Sequence, residues 1–320
     1  MGNDILTVVV PCYNEEEVLP ETVKELGGIL QGLVAEKKVA ANSKLLFVDD
    51  GSHDKTWPLI QKYEQDFDYV TGIKFSRNYG HQNALVAGLM VASKHSDIMI
   101  TIDADLQDDV NAINEMVDQY HAGYDVVYGV RNNRDTDSVF KRRTALAFYG
   151  LMGKLGVELV PNSADYRLMS KRAVEALLKM KEQNLFLRGM VPLVGFPTTK
   201  VYYARKERFA GESKYPLKKM IKFAVDGITS FSTAPIKLVM GLGLFIVMVG
   251  IISFIYSLIS KLTGHVVTGW TSLITSIWVL GGVQLICLSV IGEYVGKVFI
   301  EVKHRPRFII EQDDFSKLFN

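Results

Sequence analysis

Cysteine is scarce. Cys12 and Cys287 are the two in the chain, far apart and in segments of different character. This argues against a disulfide framework, and a reducing compartment fits. The six histidines show no zinc-ligand spacing and suggest no Ser/His/Asp set. No Gly-x-Gly-x-x-Gly follows the first apolar run, and no Gly-Lys-Ser/Thr loop occurs, which disfavours dinucleotide oxidoreductase and P-loop chemistry. A formal net charge of +1 removes the global electrostatic case for nucleic-acid binding. The N-terminus has neither a basic region nor a small-residue cleavage site, so its apolar residues 5–12 read as a strand, not a signal peptide. Internal repeats and low-complexity stretches are absent as well.

What is present is organised around residues 98–109, IMITIDADLQDD. A short apolar run stops abruptly at Asp103, as suits a strand buried on both faces of a parallel sheet. If the strand end stays extended, residues 103, 105 and 107 point to one side. Two carboxylates and an amide oxygen then converge where open α/β sheets bind ligands. Hard oxygen ligands left incomplete by the protein suit Mg²⁺ or Mn²⁺ completed by phosphate oxygens. The competing reading is a surface turn with solvated acids, since Asp-x-Asp is common by chance.

Up to about residue 215 the chain alternates β-like runs with amphipathic helical stretches, as α/β domains do. Strands are expected at 5–11, 43–48, 70–75, 98–102 and 126–128, with a helix at about 82–93. This rhythm predicts a doubly wound, Rossmann-like parallel sheet with right-handed crossovers. Several of these strands end in polar residues, Asn14 and Glu15, Asp49 and Asp50, Asp103 and Asp105, which marks a binding edge.

Two long apolar runs follow, 236–259 and 270–291, each near the roughly 20 residues that cross a bilayer. Buried soluble helices are a weak alternative at this length. Lys214, Lys218, Lys219, Lys222 and Lys237 precede the first run, and Lys297, Lys303, Arg305 and Arg307 follow the second. The connecting loop 262–269 holds no Lys or Arg, so the positive-inside tendency predicts a multi-pass cell-membrane protein with its soluble domain and both termini in the cytoplasm. Two helices are too little to build a solute pathway and read as an anchor. Residues 216–233 mix lysines with apolar side chains, as an interfacial amphipathic helix would, an ordinary surface helix being the alternative. The expected layout is a domain at 1–215, a juxtamembrane helix at 216–233, a hairpin at 234–292 and a cytoplasmic tail at 293–320.

The segments VVVPCYNEE, VDDGSHDKT, SRNYGHQNALVAG, DADLQDD and RFAGESKY occur in the order seen in family-2 glycosyltransferases of the GT-A fold. With the two C-terminal helices and the GEYVGKVFIEVKHRPRF tail, essentially the whole chain resembles the polyprenyl-phosphate branch, which includes dolichyl-phosphate mannose synthase and bactoprenol glucosyltransferases. The resemblance implies that Pro11, Tyr13 and Glu15, with Val48 and Asp50, hold base and ribose, and Asn14 is counted with them from the polar edge. It places Asp103, Asp105 and Gln107 at the metal and diphosphate, the last two as direct ligands. Arg131, Arg208 and Lys214 match basic residues that grip phosphates, and Arg131 is also counted as catalytic. Solvated surface charges are the competing reading for Arg131 and Arg208. Arg134, Arg142 and Arg143 read as membrane-proximal surface charges.

Asp165, in NSADYRLMSK, matches a position discussed as a catalytic base. A phosphate monoester has a second pKa near 6 and needs little help losing a proton, so Asp165 either acts as base or positions acceptor or sugar. Pairing with Arg167 or capping a helix is its structural alternative. The expected reaction is an inverting transfer of a hexose from a nucleotide-diphosphate sugar to a membrane-embedded polyprenyl phosphate, undecaprenyl phosphate first. UDP-glucose is the first choice of donor, then UDP-N-acetylglucosamine, then GDP-mannose. A processive polysaccharide synthase would share the fold but would need a Gln-x-x-Arg-Trp motif and more helices. A non-catalytic membrane adaptor would tolerate loss of the acids, all of which are present. Association of the anchors into a homo-oligomer is a further expectation.

Overall fold

The computed structural model describes residues 2–132, 160–204, 234–263 and 269–319. They fall into two compact units, one of residues 1–221 with 306–320 and one of residues 222–305. In the first unit an eight-stranded sheet is built from β1 (Leu6–Cys12), β2 (Lys44–Asp49), β3 (Val70–Phe75), β4 (Ile98–Thr101), β5 (Val126–Arg131), β6 (Ser163–Ser170), β7 (Thr198–Tyr203) and β8 (Ile310–Asp313). Its helices are α1 (Leu19–Ala35), α2 (Thr56–Asp66), α3 (His81–Ala92), α4 (Ala112–His121), α5 (Lys171–Leu178) and α6 (Leu187–Leu193).

The spatial order is β7-β5-β6-β4-β1-β2-β3-β8. β1 to β4 are mutually parallel, but β6 runs antiparallel to both β4 and β5, and β8 antiparallel to β3. The sheet is therefore mixed, not the wholly parallel one that the strand–helix rhythm suggests. β1, LTVVVPC, is buried along its whole length and rich in β-branched residues, as a central strand covered on both faces requires. Leu6, Val8 and Val10 join Phe47, Ile100 and Leu168 in the core beneath the helices. On the opposite face α3 lies so close to β1 that a Cβ on Gly88 would come 2.3 Å from Val9 Cγ1.

Pro11 sits inside this central strand, where a missing N–H would ordinarily break a ladder. It is tolerated because β4 pairs only with Leu6 to Val9. Beyond Val9 the two strands part, while β1 continues beside β2 with Pro11 opposite Val48. The sequence order reverses at this point, which opens the crevice where doubly wound sheets take ligands.

The C-terminal residues are not a loose tail. β8 lies against β3, with Phe75 opposite Ile310. Phe308 stacks on Phe75 with ring centroids 5.2 Å apart, and Phe315, in the short helix α9 (Asp314–Lys317), is wholly buried.

The second unit holds two helices, α7 (Ala234–Leu262) and α8 (Trp270–Val302). At 1.5 Å per residue they are about 44 and 50 Å long. Both are long and apolar enough to cross a membrane, over Pro235–Ile252 at a mean hydropathy of 2.3 and over Val279–Val302 at 1.6. Large side chains such as Leu244 and Leu285 are more than half exposed. α8 runs past the expected end at 291, where Glu293 and Lys297 approach to 4.0 Å one turn apart. The expected amphipathic helix at 216–233 lies outside the described residues, as do Arg134, Arg142 and Arg143.

Candidate active site

β4 ends at Thr101, and the residues after it do not stay extended. Leu106 has a φ of +53°, and the Gln107 backbone N–H donates to Asp105 Oδ1 at 3.2 Å. The two-residue alternation expected for 103, 105 and 107 is thus replaced by a turn. That turn is clamped from several sides. Thr22 Oγ1 donates to the Ala104 carbonyl at 2.8 Å, and the Tyr166 hydroxyl donates to the Asp109 carbonyl at 3.1 Å. Asp108, almost wholly buried, accepts from Arg131 Nε and Nη2 at 3.1 and 2.9 Å and from the Tyr203 hydroxyl at 2.7 Å. Arg131 and Tyr203 are register partners on β5 and β7, which explains why both reach one carboxylate.

Asp103 is the exception in this clamped turn. Its Oδ1 is buried and makes no hydrogen bond, although 35% of the side chain is exposed. Burial pushes its carboxyl up to about 6, with His81 opposing the rise and the neighbouring acids Asp165, Asp108 and Asp105 adding to it. Facing it is His81, the first residue of α3, whose Nε2 lies 3.4 Å from Asp103 Oδ1 and 3.6 Å from Asp165 Oδ2. Burial works against the imidazolium, yet Asp165 and Asp103 outweigh it and the His81 pKa is raised.

Asp165, on β6, receives Arg167 Nη2 at 2.7 Å on Oδ1, and Arg188 Nε and Nη2 at 3.4 Å on Oδ1 and Oδ2. Burial opposes its ionisation, but Arg188, His81 and Arg167 hold the carboxyl well below the usual carboxylate range. The pairing with Arg167 anticipated as its structural alternative is present, within a larger cluster. Sequence reading missed His81 and Arg188 as members of it, and missed Asp108 and Tyr203 as the partners of Arg131. His81 stood inside the SRNYGHQNALVAG segment, so position was a signal where metal spacing was not.

The other predicted residues gather at the far end of the crevice. The loops after β1 and β2 are laced together: Asn14 Oδ1 accepts from the His53 N–H at 2.9 Å, and the Glu15 N–H donates to Thr56 Oγ1 at 2.8 Å. An open pocket of about 500 Å³ lies here, lined by residues including Asn14, Glu15, His53 and Asp54. Tyr13 is 41% exposed beside it in sequence, while Pro11 and Val48 lie deeper, in the strands. Asp50 is committed elsewhere. Its two oxygens accept from the backbone N–H groups of Tyr79 and Gly80 at 2.6 and 2.9 Å, and the residue is 3% exposed. Arg208 and Lys214 lie outside the described residues.

Among the described residues, no three His, Cys, Asp or Glu side chains gather into a cage that would hold a metal unaided. A site that leaves most positions to substrate phosphates needs no such cage. Asp103 Oδ1, buried and without a hydrogen bond although His81 Nε2 lies 3.4 Å away, is the feature that fits a cation, since a desolvated carboxylate oxygen that no donor bonds is costly.

The pattern defining glycosyl transferase family 2 matches residues 7–178, and that of the GtrB C-terminal hairpin matches residues 234–298. The chain belongs to glycosyl transferase family 2, and it is a glycosyltransferase of the GT-A fold with a GtrB-type hairpin. Within the family it is 53% identical over 98% of its length to the uncharacterized glycosyltransferase YkoT of Bacillus subtilis (strain 168), covering 93% of that protein. It is 39% identical to the bactoprenol glucosyl transferase of Shigella phage SfV over 96% of this chain and 98% of the relative. Among solved structures, glucosyl-3-phosphoglycerate synthase from Mycobacterium tuberculosis aligns over 71% of this chain and 78% of its own at 17% identity, with a TM-score of 0.47.

Proposed function

We propose that the chain transfers glucose from UDP-glucose to the phosphate of bactoprenol, a polyprenyl phosphate, with inversion at the anomeric carbon. The observation that carries a metal-assisted transfer is the buried Oδ1 of Asp103, which makes no hydrogen bond, at the crevice between β1 and β4. Similarity over nearly the whole length to a bactoprenol glucosyl transferase supplies the sugar and the lipid.

In this reading Asp103, Asp105 and Gln107 hold Mg²⁺ or Mn²⁺. When bound, the cation neutralises charge developing on the departing diphosphate. Asn14 and Glu15 line the pocket for the nucleoside, Tyr13 is exposed beside them in sequence, and Pro11 and Val48, paired in the strands beneath, hold the loops that carry them. Asp50 acts at one remove, by fixing the 79–80 loop. A lipid phosphate oxygen attacks C1 as the bond from C1 to the UDP oxygen breaks on the opposite face. The acceptor phosphate is already largely ionised at neutral pH, and Asp165 is held as an anion by guanidinium groups, so it serves as a positioner. Arg131 is clamped on Asp108 at the edge of the turn, and it steers phosphate from there together with Arg208 and Lys214.

The hairpin anchors the enzyme where the acceptor headgroup lies. The described residues before 205 and after 305 belong to one compact unit, so membrane crossings between them come in an even number. With the flanking lysines and arginines this favours a cytoplasmic location for the soluble unit and both termini. The test supplies membranes carrying the protein and undecaprenyl phosphate with labelled UDP-glucose, UDP-N-acetylglucosamine or GDP-mannose. A mild-acid-labile glucolipid from UDP-glucose, lost in Asp105→Ala, is the expected result. No glycolipid from any donor overturns the reading, and a product from another donor reassigns the sugar.

A further inference from the structure

The loop from Ser76 to Gly80 delivers His81 to the site, and two separate clamps hold it. One is Asp50, whose oxygens take the Tyr79 and Gly80 N–H groups. The other comes from the opposite end of the sequence. β8 begins at Ile310, opposite Phe75, but the contact runs on past the end of β3: the Ser76 N–H donates to the Ile309 carbonyl at 3.1 Å. Next to that bond the side chains form a stack. Phe308 lies flat on Phe75, with ring planes 11° apart, and Phe75 meets Tyr79 edge-on with centroids 5.6 Å apart. The Arg77 guanidinium lies over the Tyr79 ring, 4.1 Å from its centroid. The Tyr79 carbonyl accepts from Asn83 Nδ2 at 2.8 Å, in the first turn of α3. Gly80, at a φ of +95°, then turns the chain into His81, which reaches Asp103 and Asp165.

We propose that Phe308 is a positioning residue of the transfer site. By stacking on Phe75 it fixes Tyr79 and the 76–80 loop, and so sets His81 against Asp103 and Asp165. A segment that merely shielded the edge of β3 from wrong partners would need backbone pairing along that strand and nothing more. This one continues to the first residue of the loop and adds a ring to the stack that ends at Tyr79. Aromatic pairs in these geometries fix orientation as well as burying area, which is what a loop carrying a site residue requires. The C-terminal segment is then part of the machinery although none of its side chains touches substrate. The inference rests on the proposed reaction for the transfer readout alone; the hold on the loop is independent of it.

The test uses the full chain in detergent micelles and two readouts: hydrogen exchange of the Tyr79 and Gly80 amides, and transfer from UDP-glucose to undecaprenyl phosphate. Phe308→Ala should speed exchange of those amides by about tenfold and lower kcat/KM for UDP-glucose by about tenfold or more. Phe308→Tyr keeps the ring and should restore both. Phe315→Leu is the control, because it loosens the same segment beyond β8, where the ring partners are His95 and Phe319. It should lower the Tm while leaving exchange and transfer within about twofold of wild type. Unchanged exchange in Phe308→Ala, or transfer equal to that of an active wild type, overturns the proposal. So does a Phe315→Leu variant that matches Phe308→Ala in both readouts, which marks the segment as a general brace. If the wild-type protein forms no glucolipid from any donor, the proposed reaction falls, while faster exchange in Phe308→Ala still establishes the hold on the loop.

Discussion

The strands that flank β1, β2 on one side and β4 on the other, each lead into aspartates, but the carboxylates at the two tips meet different surroundings. Both oxygens of Asp50 accept backbone N–H groups from the 79–80 loop. Asp103 has a buried oxygen that accepts no hydrogen bond, with His81 Nε2 3.4 Å away. An unpartnered oxygen alone does not mark function, because Asp49 Oδ2 is also buried and lacks a hydrogen bond. Asp49 is wholly buried, though, and nothing arriving from solvent can reach it. Asp103 combines an oxygen that no donor bonds, with His81 Nε2 3.4 Å away, and a side chain that is 35% exposed, and that pairing distinguishes a carboxylate kept for a ligand from one that holds the fold.

The largest expected effect tests that distinction at Asp103. Asp103→Asn keeps the shape of the side chain and removes the charge, so transfer should fall by about a hundredfold or more, as when a group aimed at transition-state charge is lost. The Tm of the metal-free variant should change little, because the burial cost of the Asp103 carboxylate and its attraction for His81 at 3.4 Å act in opposite directions. Adding Mn²⁺ should raise the Tm of the wild type more than that of the variant. Transfer within threefold of wild type would end the assignment of Asp103, and a large drop in Tm would make it a structural acid like Asp50.

The contrast between these tips was only half legible in the sequence. Apolar runs of β-branched residues announced β1 to β4, and β3 falls where expected, because strands buried on both faces need such runs. β6 was missed because SADYRLMS carries Asp165 and Arg167 into the sheet, a buried ion pair that composition does not signal. β8, IEQD, is a four-residue edge strand that acquires meaning only from β3 beside it. The acids of the 103–107 segment were found, but by an alternation that the turn at Leu106 breaks. His81 eluded the metal-spacing test because its partners, Asp103 and Asp165, come from β4 and β6, and only the sheet order brings them to the start of α3.

A smaller effect, of opposite kind, is expected at the β2 tip. Asp50→Ala leaves two backbone N–H groups without their acceptor, at about 1–3 kcal/mol each. Gly51, at a φ of +68°, supports the same contact, since a Cβ there would lie 2.4 Å from the Arg77 carbonyl carbon. Gly51→Ala should cost about 2 kcal/mol or more through backbone strain and displacement of that loop. Because both changes release one contact, the double variant should lose less than the sum of the two. Denaturant unfolding of the soluble signal measures all three. Wild-type stability in Asp50→Ala, with impaired donor binding, would move Asp50 to the functional side of the comparison.

The smallest effect sharpens the comparison with a third aspartate, at the start of β5 and away from the crevice. Asp125 accepts from Arg172 and from the Ser170 hydroxyl, and these bonds, Arg172 foremost, hold its carboxyl below the ordinary value against the opposing effect of burial. Its partner is 63% exposed, so solvent weakens the pair. A lowered native pKa means that the unfolded chain binds the proton more readily. The stabilisation is therefore fully present above the unfolded value, near pH 4, and is lost as pH falls through the lower native value. Asp125→Asn should lower the Tm by a few degrees at neutral pH, and the gap to wild type should close as the pH is taken from about 4 downward. A gap that stays constant down to low pH would show that Asp125 contributes through packing and its neutral hydrogen bonds. The charge on an aspartate whose oxygens are hydrogen-bonded would then matter less to this protein than the charge at Asp103.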